Sequence, residues 1–268
     1  MLEILRELCT LDAVSGDEAA VRDYIINKIK NHCEYKIDPL GSIIAFKKGK
    51  KTPAKKVMLD AHMDEVGLII TYITDDGFLK FSAVGGIDTS VLMFRRVKVN
   101  GINGVISGKP IHLISADERK KLPDPHTLYI DIGASSKEDA LKLVSPGDRA
   151  VICGEYTDAG DKIKSKALDD RIGCAVLISM LLKEAEYDFY AVFSVQEEVG
   201  LRGAKAAAYT VAPDAAIVLE GTTAADIAGV ELSRRVCALG GGPAVSFMDR
   251  ATVYDLSLIH ISEPTRRS

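Results

Sequence analysis

Four short segments of this chain each end an apolar run with acidic residues, and one of them also contains a histidine. They are LDAHMDE at 59–65, ALDDR at 167–171, FSVQEE at 193–198 and IVLEG at 217–221. Apolar runs of this length predict buried strands, and a carboxylate at such a strand end is costly to bury without a partner. A divalent cation would compensate for several such carboxylates, and the donors on offer are His62, Asp64, Asp169, Asp170, Glu197, Glu198 and Glu220.

His62 and Asp64 are separated by a single residue. On an extended strand end, their side chains therefore point the same way. The simplest arrangement has His62 bind a metal while Asp64 fixes the orientation of its ring. An isolated pair of this kind is as often a core histidine bonded to a nearby acid. The other acidic segments favour the metal ligand.

Glu197 and Glu198 follow the apolar run YAVFSV. Adjacent side chains at a strand end point in different directions, so one can bind a metal while its neighbour acts on water. A metal lowers the pKa of water towards neutrality, and a nearby carboxylate then serves as general base and later as general acid. Two solvated glutamates at a helix start would be the simpler explanation, but it fits poorly after a run this apolar.

The remaining two segments are ambiguous when each is taken alone. Asp169 and Asp170 precede a helical pattern and are best explained by themselves as N-capping acids, with Arg171 as a surface partner. Beside a histidine and Glu198, however, a carboxylate here is suited to bridging two cations. Glu220 is a weak signal in isolation. The four segments together predict a two-metal hydrolase.

The segments that must position these residues show two kinds of sequence pattern. Residues 1–66 and 156–255 alternate helical and strand-like patterns, which predicts an α/β domain. Residues 67–155 contain short β-prone pieces between Gly, Asp-Gly and Asn-Gly turns, which predicts an inserted small barrel or sandwich. Near the N-terminus, Ser15 followed by Glu18 predicts a capping box. Sites in open α/β sheets form beyond the carboxyl ends of strands, where the acidic segments fall.

The bulk composition excludes several classes of partner. A formal net charge of -4 gives no electrostatic reason to expect nucleic acid or an anionic membrane. No apolar stretch approaches the ~20 residues that span a bilayer, and the N-terminus lacks the features of a signal peptide. The five cysteines are scattered without CxxC spacing, which is typical of a reducing cytoplasm.

The ordered combination of HMDEVG, ALDDRIG, QEEVGLRGA and LEGTTAAD resembles the cytosolic co-catalytic metallo-aminopeptidases of the M42 type. The resemblance covers residues 1–255. It implies a metallopeptidase-type mixed α/β/α sandwich whose inserted β domain serves oligomerisation. It also implies peptide substrates and a homo-oligomer, dimer-based and dodecameric in the intact family.

The resemblance further implies two divalent metal ions per subunit, with a role for each ligand. His62 and Glu220 would bind one metal and Glu198 the other, while Asp169 would bridge both. Glu220 stands where many family members have aspartate, and it remains an oxygen ligand. Mixed histidine and carboxylate ligands accept Zn, Co or Mn.

On this resemblance, the activity is the release of N-terminal residues from short peptides. Glu197 would be the general acid/base, and Asp64 would orient His62. A related metal-dependent deacylase or carboxypeptidase could use the same residues, and a requirement for a free α-amine distinguishes them. A non-catalytic oligomerisation scaffold would have no need for adjacent acids at a strand end. Glycoside hydrolysis also uses two carboxylates, but the chain has no tryptophan for sugar stacking.

The end of the chain departs from the M42 pattern. The family supplies a last histidine ligand, with further strands and helices, from well beyond residue 255. Residues 256–268 read instead as a translated sequencing adapter, so we expect an artefactual tail and reject His260 as a ligand. We therefore expect an incomplete catalytic domain, weaker metal binding at Glu198 and impaired activity.

Overall fold

A computed structural model describes residues 1–110, 113, 115, 124–249 and 252–261 of the chain. Its helices are α1 (Leu2–Thr10), α2 (Ala19–Ile29), α3 (Lys137–Leu141), α4 (Leu168–Leu181), α5 (Arg202–Val211) and α6 (Leu256–Ile261). Its strands are β1 (Glu34–Ile37), β2 (Ile43–Lys47), β3 (Val57–His62), β4 (Gly67–Ile73), β5 (Leu79–Val84), β6 (Arg96–Val99), β7 (Ile102–Ser107), β8 (Tyr129–Asp131), β9 (Arg149–Ile152), β10 (Thr157–Asp158), β11 (Ile163–Lys164), β12 (Phe189–Ser194) and β13 (Ala215–Val218).

The chain forms two compact units, Met1–Gly221 and Thr222–Ser268. The second unit contains a short 3-10 turn at Leu232–Arg234 and helix α6, which covers the described part of the predicted tail. All the candidate site residues belong to the first unit. No helix in the described part of the chain has the length and apolar character needed to cross a membrane.

A five-stranded sheet in the order β1-β2-β12-β3-β13 lies in the first unit. β2 is antiparallel to both β1 and β12, whereas β12, β3 and β13 run parallel to one another. The register places Ser194 beside His62 and Val218 beside Asp60. The carboxyl ends of the three parallel strands therefore meet at one edge of the sheet. The acidic segments that follow these strands are brought to that edge by the topology alone.

Helices cover both faces of this sheet. α1, α2 and α4 pack on one face, and α2 shows the sequence pattern responsible because Val21, Ile25 and Ile29 recur every four residues and are fully buried. α5 packs on the other face through Ala207 and Val211. This arrangement confirms the predicted mixed α/β/α sandwich.

The six strands β4, β5, β8, β7, β6 and β9 close into a barrel. Alternating apolar side chains such as Leu68, Ile70, Val97 and Val99 fill its interior, a separate core from that of the sheet. The predicted small β-barrel within the α/β fold is therefore confirmed. The domain boundaries drawn from the sequence remain a prediction.

The capping box predicted at Ser15 and Glu18 is wrong. α2 begins at Ala19, and no side chain caps its first turn. The Ser15 hydroxyl donates instead to Asp64 Oδ2 at 2.6 Å, a residue far along the chain. Ser15 and Glu18 are both buried, and they make tertiary contacts near the strand ends rather than cap the helix.

Candidate metal centre

The sheet edge brings all six predicted site residues of the first unit into one region. Each lies at the end or the start of a regular element: His62 ends β3 and Asp64 follows it, Glu197 and Glu198 follow β12, Glu220 follows β13, and Asp169 lies in the first turn of α4. His62 and Asp169, for example, are 107 positions apart in the sequence. Only the tertiary fold makes them neighbours.

His62 is the centre of the arrangement and is almost completely buried. Its Nε2 atom lies 3.0 Å from Asp169 Oδ1 and 3.2 Å from Glu220 Oε1. On the other side of the ring, Nδ1 lies 3.0 Å from the backbone oxygen of Asp64 and 3.4 Å from its Oδ1 atom. Asp64 thus contacts one ring nitrogen, and the other is directed at the carboxylates of Asp169 in α4 and Glu220 after β13.

Two clusters of potential ligands share this histidine. One consists of His62, Asp169 and Glu220, and the other of His62, Glu197 and Glu198. Within each cluster the ligand atoms lie within 4.8 Å of one another. The positions predicted for two metals are therefore adjacent, and Glu197 and Glu198 both approach the same one.

Asp64 fixes the loop that carries the two glutamates. Its Oδ1 atom accepts the backbone N–H of Glu197 at 3.0 Å, and Oδ2 accepts that of Glu198 at 3.2 Å. Burial opposes the charge of Asp64, but hydrogen bonds from His62 and Ser15 outweigh it and lower its pKa. Asp64 is therefore a stable anion that holds both His62 and the Glu197–Glu198 backbone.

Asp170 faces the protein interior rather than the cluster. Its carboxylate accepts the backbone N–H groups of His62, at 3.1 Å, and Gly173, at 3.0 Å. Burial raises the pKa of Asp170 to about 9. A Cβ atom on Gly173 would lie 2.5 Å from Asp170 Oδ2, so the residue there must be glycine for this contact to form. The adjacent Asp169, in contrast, is half exposed and open to the site.

The interpretation of Arg171 as a surface partner is wrong, because its side chain is fully buried. Its Nη2 atom lies 3.3 Å from Glu65 Oε1, and Nη1 donates to the backbone oxygen of Leu8 at 2.7 Å. Lys166 Nζ also reaches Glu65 Oε1, at 2.6 Å. Arg171 thus forms a buried ionic network with Glu65 and Lys166, and its hydrogen bond to Leu8 links α4 to α1.

The carboxylates that face the site carry charge with little compensation from the protein. Within the described residues, no lysine or arginine lies at ion-pair distance from Asp169, Glu197, Glu198 or Glu220. Burial raises the pKa of Glu197, of Glu220 and of Glu198, the last to about 7. Burial disfavours the proton on His62, yet hydrogen bonds to Asp169, Asp64 and Glu220 raise its pKa well above its ordinary value. Burial and the neighbouring carboxylates both raise the pKa values of these glutamates, and a bound cation would oppose that effect.

The donor set fits divalent metal ions. One imidazole nitrogen together with several carboxylate oxygens is the mixture that Zn, Co and Mn accept. The second nitrogen of His62 is already engaged by Asp64, as is usual for a metal-binding histidine. The residues present could hold a metal in each of the two clusters.

Sequence reasoning missed three residues that support the site. Ser15 and Glu18 were assigned to helix capping, and Glu65 was given no role. Ser15 bonds to Asp64, Glu18 accepts the backbone N–H of Gln196 at 3.1 Å, and Glu65 anchors Arg171. Only Glu65 carried a local signal, because it lies beside Asp64 in the HMDE segment.

Comparison with known proteins points to one family. The family model for M42 glutamyl aminopeptidases matches residues 41–263. A putative aminopeptidase of Acetivibrio thermocellus is 44% identical over 256 residues, which cover 94% of this chain and 75% of that protein.

Solved structures agree with this match. A TET aminopeptidase from a marine-sediment archaeon of the Thaumarchaeota superposes with a TM-score of 0.91 at 33% identity, covering 97% of this chain and 76% of that one. The TET1 peptidase of Pyrococcus horikoshii, which can assemble into a tetrahedron or an octahedral shell, gives a TM-score of 0.83 at 36% identity and covers 97% and 79%.

Proposed function

The chain belongs to the M42 glutamyl aminopeptidase family, and we propose that it is a metal-dependent aminopeptidase that releases N-terminal residues from short peptides. The family supports a peptidase function. The observation that carries the finer proposal is the pair of ligand clusters that share His62 at the carboxyl ends of three parallel strands. Such a cluster of acids around one imidazole suits two adjacent divalent cations.

We propose the metal assignment that the family implies. His62 and Glu220 would hold one ion, Glu198 would hold the other, and Asp169 would bridge them. Asp169 is half exposed and its Oδ1 atom lies 3.0 Å from His62 Nε2, so it would be within reach of an ion held by His62 and Glu220. When bound, a divalent ion such as Zn, Co or Mn would lower the pKa of water and polarise a substrate carbonyl.

Glu197 is proposed as the general acid/base. It would accept a proton from the attacking water and deliver it to the departing amine. Burial raises the pKa of Glu197 above that of a free glutamate, which moves it towards the range useful for proton transfer at neutral pH. Asp64 acts indirectly, because its hydrogen bonds hold the Glu197 backbone and the His62 ring in place.

The two metal positions should differ in affinity. Within the described residues, His62 is the one histidine common to both clusters, and its Nε2 atom is directed at Asp169 and Glu220. The position at Glu198 is left mainly with oxygen donors. We therefore propose that this position binds its metal more weakly, which would impair the activity of this chain at low metal concentrations.

We further propose a cytoplasmic homo-oligomer. All five cysteines are free thiols in the structure, as suits a reducing compartment. The similarity to the TET1 peptidase, which can assemble into a tetrahedron or a large octahedral shell, supports self-assembly. The -4 net charge gives no electrostatic reason to expect nucleic acid or an anionic membrane as a partner, and the family supports peptide substrates.

Hydrolysis of aminoacyl-p-nitroanilides with and without an N-acetyl group tests this function. We expect metal-dependent release of p-nitroaniline from substrates with a free α-amine, and loss of turnover when the amine is acetylated. Equal turnover of the acetylated substrates would instead establish a deacylase-like activity at the same site. No turnover of either series at saturating Zn²⁺, Co²⁺ or Mn²⁺ would contradict the proposal.

A further inference from the structure

The segment that precedes α2 reaches the loop that carries the two glutamates. Ser15 and Glu18 are both buried, with 4% and 6% of their surface exposed. The Glu18 carboxylate accepts the backbone N–H of Gln196 at 3.1 Å, while the Ser15 hydroxyl donates to Asp64 at 2.6 Å. A single turn of chain thus contacts the loop directly through one residue and indirectly through another.

Two buried carboxylates receive three consecutive N–H groups of this loop. Glu18 accepts the N–H of Gln196, and Asp64 accepts those of Glu197 and Glu198. Gln196 has a left-handed backbone with φ of 54°, a conformation that few residues other than glycine adopt readily. The hydrogen bond to Glu18 falls on the residue whose backbone most needs an external restraint.

Glu18 is itself held in place. The same Oε1 atom accepts the N–H of Gly16 at 2.8 Å, and Gly16 has a φ of 85°. The segment is anchored by the backbone, since Ser15 N–H donates to the Glu65 oxygen at 3.3 Å and Glu65 N–H donates to Ala13 at 2.9 Å. The carboxylate is therefore presented to Gln196 from a fixed support.

From this geometry we propose that Glu18 is a positioning residue for the Gln196–Glu198 loop, and that it sets the direction of the Glu197 side chain. Its effect on turnover rests on the proposed function, whereas its effect on the loop does not. Glu18 touches neither the ligand cluster nor any atom that would react. Without it, the N–H of Gln196 is left without its partner and the left-handed turn loses its external restraint.

The loop itself provides the first test. In Glu18→Ala, examined without metal by hydrogen-exchange mass spectrometry, we expect faster exchange in peptides covering 195–201 and unchanged exchange in the barrel. Asp23→Asn is the matched control, because it removes an exposed carboxylate from the helix that follows Glu18. Wild-type exchange rates for 195–201 in Glu18→Ala would overturn the proposal.

Turnover provides the second test and separates positioning from folding. A displaced acid/base costs about 10- to 100-fold in activity, so we expect kcat to fall by that factor in Glu18→Ala while KM changes little. Glu18→Gln keeps one carbonyl acceptor and should recover part of the loss, and it also serves if the alanine variant does not fold. Equal kcat in wild type and both variants would overturn the proposal. An inactive wild type would contradict the proposed function, and the exchange result would still decide the role of Glu18.

Discussion

The buried ionic network beneath the metal centre offers a quantitative test of the fold. Glu65 Oε1 lies 2.6 Å from Lys166 Nζ and 3.3 Å from Arg171 Nη2, and the side chains of Glu65 and Arg171 are 6% and 0% exposed. The substitution Glu65→Gln keeps the shape of the side chain and removes its charge. Lys166 and Arg171 would then share one neutral amide oxygen in a region that is almost inaccessible to water.

The magnitude follows from the distances. With an effective dielectric constant of about 20, the Coulomb attractions to Lys166 and Arg171 are about 6 and about 5 kcal/mol. Most of this is offset by the cost of taking the charges out of water, and breaking a buried pair costs about 3–5 kcal/mol net. We expect a loss near 3 kcal/mol, because Lys166 retains Asp12 at 3.3 Å and Arg171 retains the oxygen of Leu8.

Urea unfolding followed by circular dichroism measures this loss. The experiment is performed in the presence of a chelator, because bound metal would itself stabilise the folded state. Glu184→Gln is the matched control: Glu184 pairs with Lys50 at 3.2 Å, but both side chains are mostly exposed, so its loss should be below about 1 kcal/mol. Lys166→Met serves as a milder variant should Glu65→Gln fail to fold. If the free energy of unfolding of Glu65→Gln lies within about 1 kcal/mol of the wild-type value, the network does not stabilise the fold.

Three further predictions concern the site. Glu197→Gln should lower kcat about 10²- to 10⁴-fold with metal content unchanged by elemental analysis; a parallel loss of metal would make Glu197 a ligand instead. Gly173→Ala should cost about 1–3 kcal/mol in urea unfolding and weaken metal binding, since the new methyl displaces Asp170 from the His62 N–H. Gly86→Ala, with nothing within 4 Å, is its control and should change neither. Burial raises the pKa of Asp60 to about 7. In the metal-free protein, the free energy of unfolding should therefore fall as the pH rises from the pKa of Asp60 in the unfolded chain to about 7. Asp60→Asn should flatten that dependence, and an unchanged slope would contradict it.

The sequence predicted the parts of the molecule that local patterns determine. Apolar runs ending in acids located β3, β12 and β13, and the rule that parallel strands present their carboxyl ends together was enough to gather His62 and Glu220. The dense turns between short strands likewise predicted the barrel. These predictions depend on a few residues in succession, which is the range over which hydrophobic periodicity carries information.

The supporting contacts could not be predicted in the same way, because they join residues remote in sequence. Ser15 meets Asp64 across 49 positions and Glu18 meets Gln196 across 178. A serine three residues before a glutamate matches a capping box equally well, so the local pattern gave the wrong answer. Arg171 is a second case: a cation at a helix start is usually solvated, and only the position of Glu65 and Leu8 explains why it is buried.

The proposed function requires that one histidine and its surrounding acids hold two divalent metals of unequal affinity. The most direct test is calorimetric titration of the metal-free chain with Zn²⁺, compared with Glu220→Ala and Glu198→Ala. We predict two binding events in the wild type, the tighter one weakened by Glu220→Ala and the weaker one abolished by Glu198→Ala. A wild-type isotherm indistinguishable from those of both variants would contradict the claim.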